Sequence, residues 1–299
     1  MTYSIVARDK KTGFLGVAVQ SHYFSVGPVV PWARSGVGAV ATQSMVEMKY
    51  GPLGLDLMSG GKSAAEALES LLRTDPKSDT RQVGMVDANG VAATHTGNRC
   101  IDYAGHVTGD GFTCQANLMS NDAIWGEMKQ AYENNSSLEF PERLLAALEA
   151  AENTGGDARG KQSVAILIVS SQIYPNPWMG RVLELRVEDN PNPLEELSRL
   201  LRLRRSYDLA DKGDDLLTSG KIREAGDAYA KALEFAPGNE EILYWKGVMY
   251  LGSSLKEEGV SILKEIFRNN KNWVMITKSL LRKGLIPKSR EIEDLVGTE

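Results

Sequence analysis

The chain is short of the residues that define several common protein classes. Its 299 residues include only two cysteines and three histidines. Two cysteines are too few for a disulfide framework, and no CxxC, HxH or HExxH spacing indicates a metal site. There is no Walker A motif, and Gly109-Asp110-Gly111 is not a GxGxxG fingerprint, so nucleotide chemistry is disfavoured. The sequence therefore predicts neither a metal nor a cofactor, and we expect Cys100 and Cys114 to be buried thiols rather than nucleophiles.

Long apolar runs and excess positive charge are missing as well. No stretch approaches the roughly 18 consecutive apolar residues of a membrane-spanning helix. The opening MTYSIVARDK has no basic segment followed by an apolar one, so we expect no secretory signal. The net charge of −5 argues against nucleic acids and anionic membranes as partners. Together with the scarcity of cysteine, these features predict a cytoplasmic protein.

The composition changes near residue 190, and Asn190-Pro191-Asn192-Pro193 marks the change. Glycine and short β-type runs dominate before this segment, and helical periodicity dominates after it. A residue that precedes proline is disfavoured in a helix, so the segment favours a break. Residues 191–299 carry equal numbers of acidic and basic residues, so the whole net charge lies in residues 1–190. We predict two domains, 1–190 and 191–299.

Alternating apolar residues predict an α+β fold for the first domain. Asn89-Gly90 is typical of a hairpin turn, and Ser63 is suited to begin a helix as its N-cap. The predicted strands are Tyr3–Arg8, Leu15–Gln20, Val37–Ser44, Gln82–Asp87, Val91–Thr96, Val164–Val169 and Arg181–Val187, and the predicted helices are Ala64–Arg73, Ala123–Glu133 and Pro141–Asn153. Pairs of strands separated by pairs of helices favour sheets covered by helices over a doubly wound parallel sheet.

The second domain contains an internal repeat. A shift of 34 residues takes Gly213 to Gly247 and Ala225 to Gly259. The spacing of Gly213, Ala225, Tyr229, Ala232 and Pro237 resembles a tetratricopeptide unit, a pair of helices with small residues at their contact. We therefore predict a small all-α, tetratricopeptide-like domain, with a generic helical bundle as the alternative.

Four aromatic residues of the second domain suggest a protein partner. Tyr244, Trp245, Tyr250 and Trp273 offer more aromatic area than two repeats need internally. Because exposed aromatic patches favour interfaces, we expect this area to pack on the first domain or on a second copy of the chain. The alternative is that these residues fill the core of their own domain.

Thr2 is the residue with the most suggestive chemistry. Methionine before a small residue is usually removed, and the chain would then begin with a threonine. The α-amine of such a residue titrates near ~8, so it can accept the proton of its own hydroxyl. The predicted strand at Tyr3–Arg8 begins at once and would hold Thr2 in place. Alternatively, Thr2 is present only because threonine favours strands.

Four motifs of the first domain, taken in order, resemble one protein family. They are MTYSIVARDKKTGFLGVAVQSHYFSVGPVVPWARSGVGAVATQS, THTGNRC, QANLM and GGDARGKQS. These motifs resemble DUF1028, a family placed among the N-terminal-nucleophile (Ntn) hydrolases, with proteasome β subunits and asparaginase-type amidases as relatives. The resemblance spans nearly all of residues 1–190 and implies an αββα sandwich, two packed sheets between helical layers. The helical second domain lies outside it.

The shared motifs contain polar residues suited to binding a substrate. Gln20 and Ser21 end a predicted strand beside Thr2, and His95 follows another strand next to a glycine. Arg34 lies near the sequence distance at which proteasome-type relatives carry a lysine. Because arginine stays protonated, we expect it to orient a carboxylate and not to shuttle protons. For each of these residues a purely structural role is the alternative.

Two later motifs add candidates for catalysis and binding. The side-chain amide of Asn117 is suited to bind an oxyanion, and capping of the next helix is its alternative. Asp157 and Arg159 lie in a glycine-rich loop, where they would bind a zwitterionic substrate or pair with each other.

Two functions compete on this evidence. The first is an Ntn hydrolase that cleaves an amide bond of a small molecule, with Thr2 as nucleophile. The second is a non-catalytic binding or assembly protein that contacts partners through its sandwich and helical repeats. By analogy with other Ntn proteins, we also expect a homodimer.

Overall fold

The computed structural model describes residues 2–286 and 288–297. The chain divides into two compact units, residues 1–201 and 202–299. The strands are β1 (Thr2–Arg8), β2 (Leu15–Ser21), β3 (Pro31–Arg34), β4 (Gly38–Ser44), β5 (Arg81–Asp87), β6 (Ala92–Thr96), β7 (Gly105–Gly109), β8 (Phe112–Asn117), β9 (Ser163–Val169) and β10 (Arg181–Val187). The helices of the first unit are α1 (Tyr50–Ser59), α2 (Ala64–Thr74), α3 (Ile124–Asn134) and α4 (Phe140–Asn153), and α5 (Pro193–Thr218) begins there.

The strands of the first unit form two antiparallel sheets. The larger sheet has the order β10-β9-β2-β1-β8-β7, and the smaller one has the order β3-β4-β5-β6. β1 lies between β2 and β8 in the larger sheet, with Thr2 opposite Ser21 on one side and Asn117 on the other. The first residue of β1 is therefore central in its sheet and not at an edge.

Alternation along β1 explains how the two sheets and the helices pack. Ile5 belongs to a core that also includes side chains of α3 and α4, whereas Val6 belongs to a core shared with Ala41 of the smaller sheet. Val40, on the other face of β4, packs with side chains of α1 and α2. Successive strand residues face opposite sides of a sheet, so one strand supplies both cores. The sheets thus face each other and carry helices on their outer faces.

The α+β class predicted from the sequence is confirmed, as are the predicted strands and helices of the first unit. Ser63 begins α2 with a capping box, in which its hydroxyl accepts the backbone N–H of Glu66 and the Glu66 carboxylate accepts the backbone N–H of Ser63. The hairpin predicted at Asn89-Gly90 also forms between β5 and β6, with Gly90 at a φ of +87°. Local turn and capping chemistry therefore set several element boundaries.

Four elements of the first unit were not predicted from the sequence. β3 is a short strand, α1 contains two glycines and a proline, and β7 begins and ends with glycine. β8 reads FTCQAN, in which apolar and polar residues alternate, so a strand signal was present there and was overlooked. β3 and β7 are short strands that pair with β4 and β8, the strands that follow them in the chain.

The second unit is helical. It contains the remainder of α5 together with α6 (Ile222–Phe235), α7 (Glu240–Leu251), α8 (Lys256–Asn269), α9 (Asn272–Arg282) and α10 (Arg290–Val296). A Cβ placed on Gly213 of α5 would lie 3.0 Å from the ring of Tyr229 in α6. Thirty-four positions later, a Cβ on Gly247 of α7 would lie 2.9 Å from Leu263 in α8. The close helix contact therefore recurs with the period of the sequence repeat.

The aromatic residues of the second unit pack against one another within that unit, which is the alternative that the sequence left open. Tyr244 and Tyr250 are 0% and 2% exposed. The ring of Tyr244 stacks on Trp273 with centroids 4.3 Å apart and meets Trp245 edge-on at 5.2 Å. These rings, with Leu263 and other residues of α7 to α10, form one cluster. Stacking within the unit therefore covers aromatic surface that the sequence had suggested was available to a partner.

Candidate functional site

Four polar residues form a row across the larger sheet at the start of β1. Ser163 of β9 is opposite Ser21 of β2, Ser21 is opposite Thr2, and Thr2 is opposite Asn117 of β8. Thr2 is 5% exposed, and the other three are fully buried. Directly opposite residues of an antiparallel pair present their side chains on the same face. The row therefore faces the smaller sheet.

The hydroxyl of Thr2 contacts a second hydroxyl within this row. Thr2 Oγ1 and Ser21 Oγ are 3.0 Å apart and share a hydrogen bond in which either atom can be the donor. This contact follows from the β1–β2 hairpin, which brings the start of β1 next to the end of β2. The Thr2 hydroxyl is thus held at a fixed position on a rigid strand.

Two glutamines of the smaller sheet lie against the main chain of Thr2. Gln43 of β4 donates from Nε2 to the carbonyl oxygen of Thr2 at 3.2 Å and to Gln82 Oε1 at 2.8 Å. Asn117 Nδ2 donates to the same Gln82 oxygen at 2.8 Å and to the Thr2 carbonyl at 3.4 Å. Gln82 is therefore the acceptor that joins the two amides which hold Thr2.

This amide network continues between the sheets. Ser4 Oγ donates to Gln43 Oε1 at 2.6 Å and accepts from Gln115 Nε2 at 2.6 Å. Gly84 makes room for Gln115, because a Cβ at this glycine would lie 2.5 Å from Gln115 Oε1. All of these polar side chains are fully buried or 1% exposed. An unpaired buried amide costs about 1–3 kcal/mol, so the network fixes the geometry of its members.

Asn117 Oδ1 is buried and lacks a hydrogen-bond partner among the described residues. The amide orientation is fixed, because both neighbours of Asn117 Nδ2 are acceptors. Asn117 therefore presents a free acceptor beside Thr2, and its N–H groups already contact Gln82 and Thr2.

A charged pair flanks the row at the end of β2. The buried carboxylate of Asp157 accepts from the guanidinium of Arg159 at 2.8 Å and 3.1 Å and from the backbone N–H of His22 at 3.2 Å. The Arg159 side chain is 33% exposed, whereas that of Asp157 is 0% exposed. The pair fixes the residue that follows Ser21, and Arg159 is the member that solvent reaches.

Gln20 faces the opposite side of the larger sheet from Thr2. It is opposite Tyr3, whose hydroxyl donates to Glu152 Oε2 at 2.7 Å. Burial and the nearby Glu152 carboxylate raise the pKa of Tyr3 well above its ordinary value. Because neighbouring strand residues alternate between faces, the expectation that both Gln20 and Ser21 lie against Thr2 holds only for Ser21.

Arg34 and His95 are also not brought to Thr2. Arg34 is opposite Gly38, five residues along β4 from Gln43, which is about 17 Å along a strand. It pairs with Asp56 at 2.8 Å on the surface. His95 bonds to the backbone carbonyl of Ser78 at 2.8 Å, and its neighbour Thr96 is the residue that accepts from Gln82.

The glutamines of this site were not predicted from the sequence. Gln43 stands in GAVATQS, whose other residues are apolar or small, and Gln82 is followed in RQVGMVD by four apolar or small residues. An uncharged amide at a predicted buried position requires a hydrogen-bond partner, and this was the available signal. Which partner each would meet depends on how the two sheets face each other.

Among residues 2–286 and 288–297, no group of three or more His, Cys, Asp and Glu side chains could hold a metal ion. In the same part of the chain, none of the helices combines the length and hydrophobicity needed to cross a membrane. Cys114 is fully buried and Cys100 is half-buried, and burial raises the pKa of both thiols.

Comparison with known proteins agrees with the sequence motifs. The model of a family described as "Family of unknown function (DUF1028)" matches residues 2–197. The crystal structure of a protein from Silicibacter pomeroyi, described by the same family name, is similar with a TM-score of 0.60 and 30% sequence identity. The similarity covers 67% of this chain and 87% of that protein. No curated protein gave a significant match. The chain belongs to the DUF1028 family.

Proposed function

We propose that this protein is an Ntn hydrolase that cleaves an amide bond of a small molecule, with Thr2 as its nucleophile once Met1 is removed. The observation that carries the proposal is the fixed position of Thr2. Its hydroxyl lies 3.0 Å from Ser21 Oγ, and its carbonyl accepts from Gln43 and Asn117. A nucleophile held rigidly on a strand needs little rearrangement before it attacks. The two facing sheets with outer helices fit the αββα sandwich of that class.

The proposed reaction follows from the chemistry of a terminal threonine. The α-amine of Thr2 accepts the hydroxyl proton as Oγ1 bonds to the substrate carbonyl carbon. The tetrahedral intermediate then collapses, the C–N bond breaks, and the amine leaves with the proton from the α-ammonium. Water hydrolyses the resulting ester by the same route and restores the Thr2 hydroxyl. No cofactor takes part in these steps.

Asn117 has two roles in this scheme. Its Oδ1 accepts a hydrogen bond from the α-amine of Thr2, which satisfies the buried oxygen that lacks a partner among the described residues. Its Nδ2 makes a short bond to Gln82 and a long contact of 3.4 Å to the Thr2 carbonyl. In the scheme, the Asn117 N–H that makes the 3.4 Å contact turns from the Thr2 carbonyl to the oxyanion. Backbone N–H groups near Thr2 donate to the same oxyanion.

Arg159 is the residue that we expect to contact a substrate directly. Its guanidinium is partly exposed next to the end of β2, whereas Asp157 is buried beneath it. Asp157 holds Arg159 in place, and Arg159 presents its exposed N–H groups to a carboxylate of the substrate. Gln20, Arg34 and His95 contact other parts of the first unit and have no step in the scheme.

The proposal is tested by kinetics on protein whose mature N-terminus is Thr2. Loss of Met1, a mass difference of about 131 Da, is first verified by intact-mass measurement. Hydrolysis of a panel of small amides with a free carboxylate is then compared for wild type, Thr2→Ala, Thr2→Ser and the surface control Thr74→Ala. We expect no turnover for Thr2→Ala, partial turnover for Thr2→Ser and full turnover for the control. Undiminished turnover of Thr2→Ala would refute the assignment.

The second candidate function is partner binding through the helical unit, which we propose has a tetratricopeptide-like arrangement. One observation favours it. A cavity of about 940 Å³ is lined by residues of α9 and α10, among them Met275, which is 67% exposed. Lys271, Lys278 and Arg282 also line it. Retention of Met1 on protein from its native host would favour this function over the hydrolase.

A further inference from the structure

A separate cavity of about 510 Å³ lies in the first unit, on the side of the larger sheet where β7 forms the edge. Its lining includes Thr96 of β6, Asp102, Tyr103, Gly105 and His106 around the start of β7, and Trp125 of α3. Four of the lining residues, Thr96, Gly97, Asn98 and Cys100, belong to the THTGNRC segment, and the proposed hydrolysis assigns no role to any residue of the lining. We refer to this cavity as the Trp125 cavity.

Two aromatic side chains line the Trp125 cavity. The indole ring of Trp125 lies against Gly105, where an added Cβ would be 2.5 Å from ring atom Cζ2. Tyr103 is 54% exposed and has a φ of +53°, a left-handed conformation that is unusual for a bulky residue. Its carbonyl accepts the N–H of Met119 at 3.3 Å, which ties this segment to the end of β8. The chain thus holds an exposed tyrosine in a strained conformation beside a tryptophan.

The charge of the Trp125 cavity is negative. Of its described lining residues, Asp102 alone carries a formal charge at neutral pH. His106 Nδ1 bonds to Thr96 Oγ1 at 2.8 Å, and burial and the nearby His95 lower the pKa of its ring. The preceding cation in the chain, Arg99, pairs with Asp79 at 3.3 Å instead of reaching Asp102. A cavity that is lined by one carboxylate and two aromatic residues is complementary to a cation.

We infer that the Trp125 cavity binds an organic ammonium group, with the rings of Trp125 and Tyr103 as its aromatic walls and Asp102 as its counter-charge. An organic ammonium is favoured over a metal ion, because aromatic faces attract a weakly hydrated cation and supply no ligands to a metal. This inference goes beyond the proposed hydrolysis, since the binding requires neither the Thr2 hydroxyl nor a free α-amine.

The Trp125 cavity is close to Thr2 but separate from it. Thr2 is opposite Asn117 on β8, and β8 pairs with β7, where Gly105 is opposite Ala116. Two strand spacings of about 4.8 Å separate β1 from β7, so the cavity begins about 10 Å from Thr2. Gln82 contacts both places, because it donates to Gly105 O at 3.1 Å and accepts from Asn117.

Calorimetric titration of the full-length protein with choline tests the inference. The matched control ligand is 3,3-dimethylbutan-1-ol, which has the shape of choline without its charge. We expect choline to bind with a one-to-one stoichiometry and at least about fivefold more tightly than the neutral alcohol. Equal affinities for the two ligands, or no choline binding up to about 10 mM, would overturn the inference.

Amino-acid substitutions test whether choline binds in the Trp125 cavity. We expect Asp102→Asn and Trp125→Leu each to weaken choline binding at least about fivefold, and Trp125→Phe to retain it because a ring remains. The matched control Asp110→Asn removes an exposed carboxylate that pairs with Lys10 outside the cavity, and we expect no change. Asp102→Asn is the decisive variant, since its side chain is exposed and its loss does not disturb the core. Unchanged choline affinity in folded Asp102→Asn would contradict the inference.

Discussion

Gln82 holds the amide network together, and replacing it tests whether the network stabilises the sheets around Thr2. Its side chain accepts from Gln43 and Asn117 at 2.8 Å each and donates to Thr96, Gly105 and Ala116. A methionine has similar length but makes none of these bonds. The two amide donors retain only longer contacts, those to the Thr2 carbonyl and that of Gln43 to the Gln115 carbonyl at 3.3 Å. Each unpaired buried amide costs about 1–3 kcal/mol, so we expect Gln82→Met to lower the free energy of unfolding by about 2–4 kcal/mol.

Calorimetry and hydrogen exchange measure this effect. For a unit of this size the loss corresponds to a melting temperature lower by about 5–15 °C. Exchange should accelerate in peptides from β1 and β8 and stay unchanged in α7 and α8, which belong to the other unit. The matched control is Gln162→Met, which removes a surface bond to Asp189 and should change the free energy of unfolding by less than about 0.5 kcal/mol. The reasoning fails if Gln82→Met is as stable as this control.

Two further predictions concern acid stability and the extent of the first unit. The hydrogen bond from Arg81 lowers the pKa of Asp75 to about 2, so this pair stabilises the fold above roughly pH 4 and the stabilisation is lost as the pH falls towards 2. Urea titrations between pH 2 and 5 should show a smaller acid dependence for Asp75→Asn than for wild type, and an equal dependence would contradict the assignment. The chain 1–201 should fold alone with a higher melting temperature than 1–190, because α5 contributes buried leucines such as Leu197 to the core of the first unit. Equal melting temperatures for the two truncated chains would show that this packing contributes nothing.

The hairpin that begins the chain was predictable because its signals are local. The apolar alternation of β1 and β2 and the glycine-containing loop between them predict two strands, and the structure extends each strand by one residue, to Thr2 and to Ser21. The position of Ser21 against Thr2 follows from the same hairpin. Contacts between neighbours in sequence require no knowledge of the remaining fold.

The rest of the site depends on contacts that a single sequence does not reveal. Gln43 reaches Thr2, and Gln82 reaches Gln43 and Asn117, only because the second sheet faces the first, and nothing local fixes that pairing of faces. β8 has an apolar face that includes Phe112, and its alternation was readable, but the burial of Gln115 and Asn117 on its polar face follows only from the packing of the two sheets. Sequence distance from Thr2 was also a poor guide for Arg34, since Arg34 ends β3 beside Gly38, at the opposite end of β4 from Gln43.

The most direct test of the account is covalent labelling of the Thr2 hydroxyl. Protein whose mature N-terminus is Thr2 is treated with a β-lactone, an acylating reagent that needs an activated hydroxyl, and the adduct is mapped by peptide mass spectrometry. The account predicts one acyl group on the hydroxyl of Thr2 and no adduct on Thr2→Ala. An unlabelled wild-type protein, or an adduct at another residue with Thr2 unmodified, would contradict it.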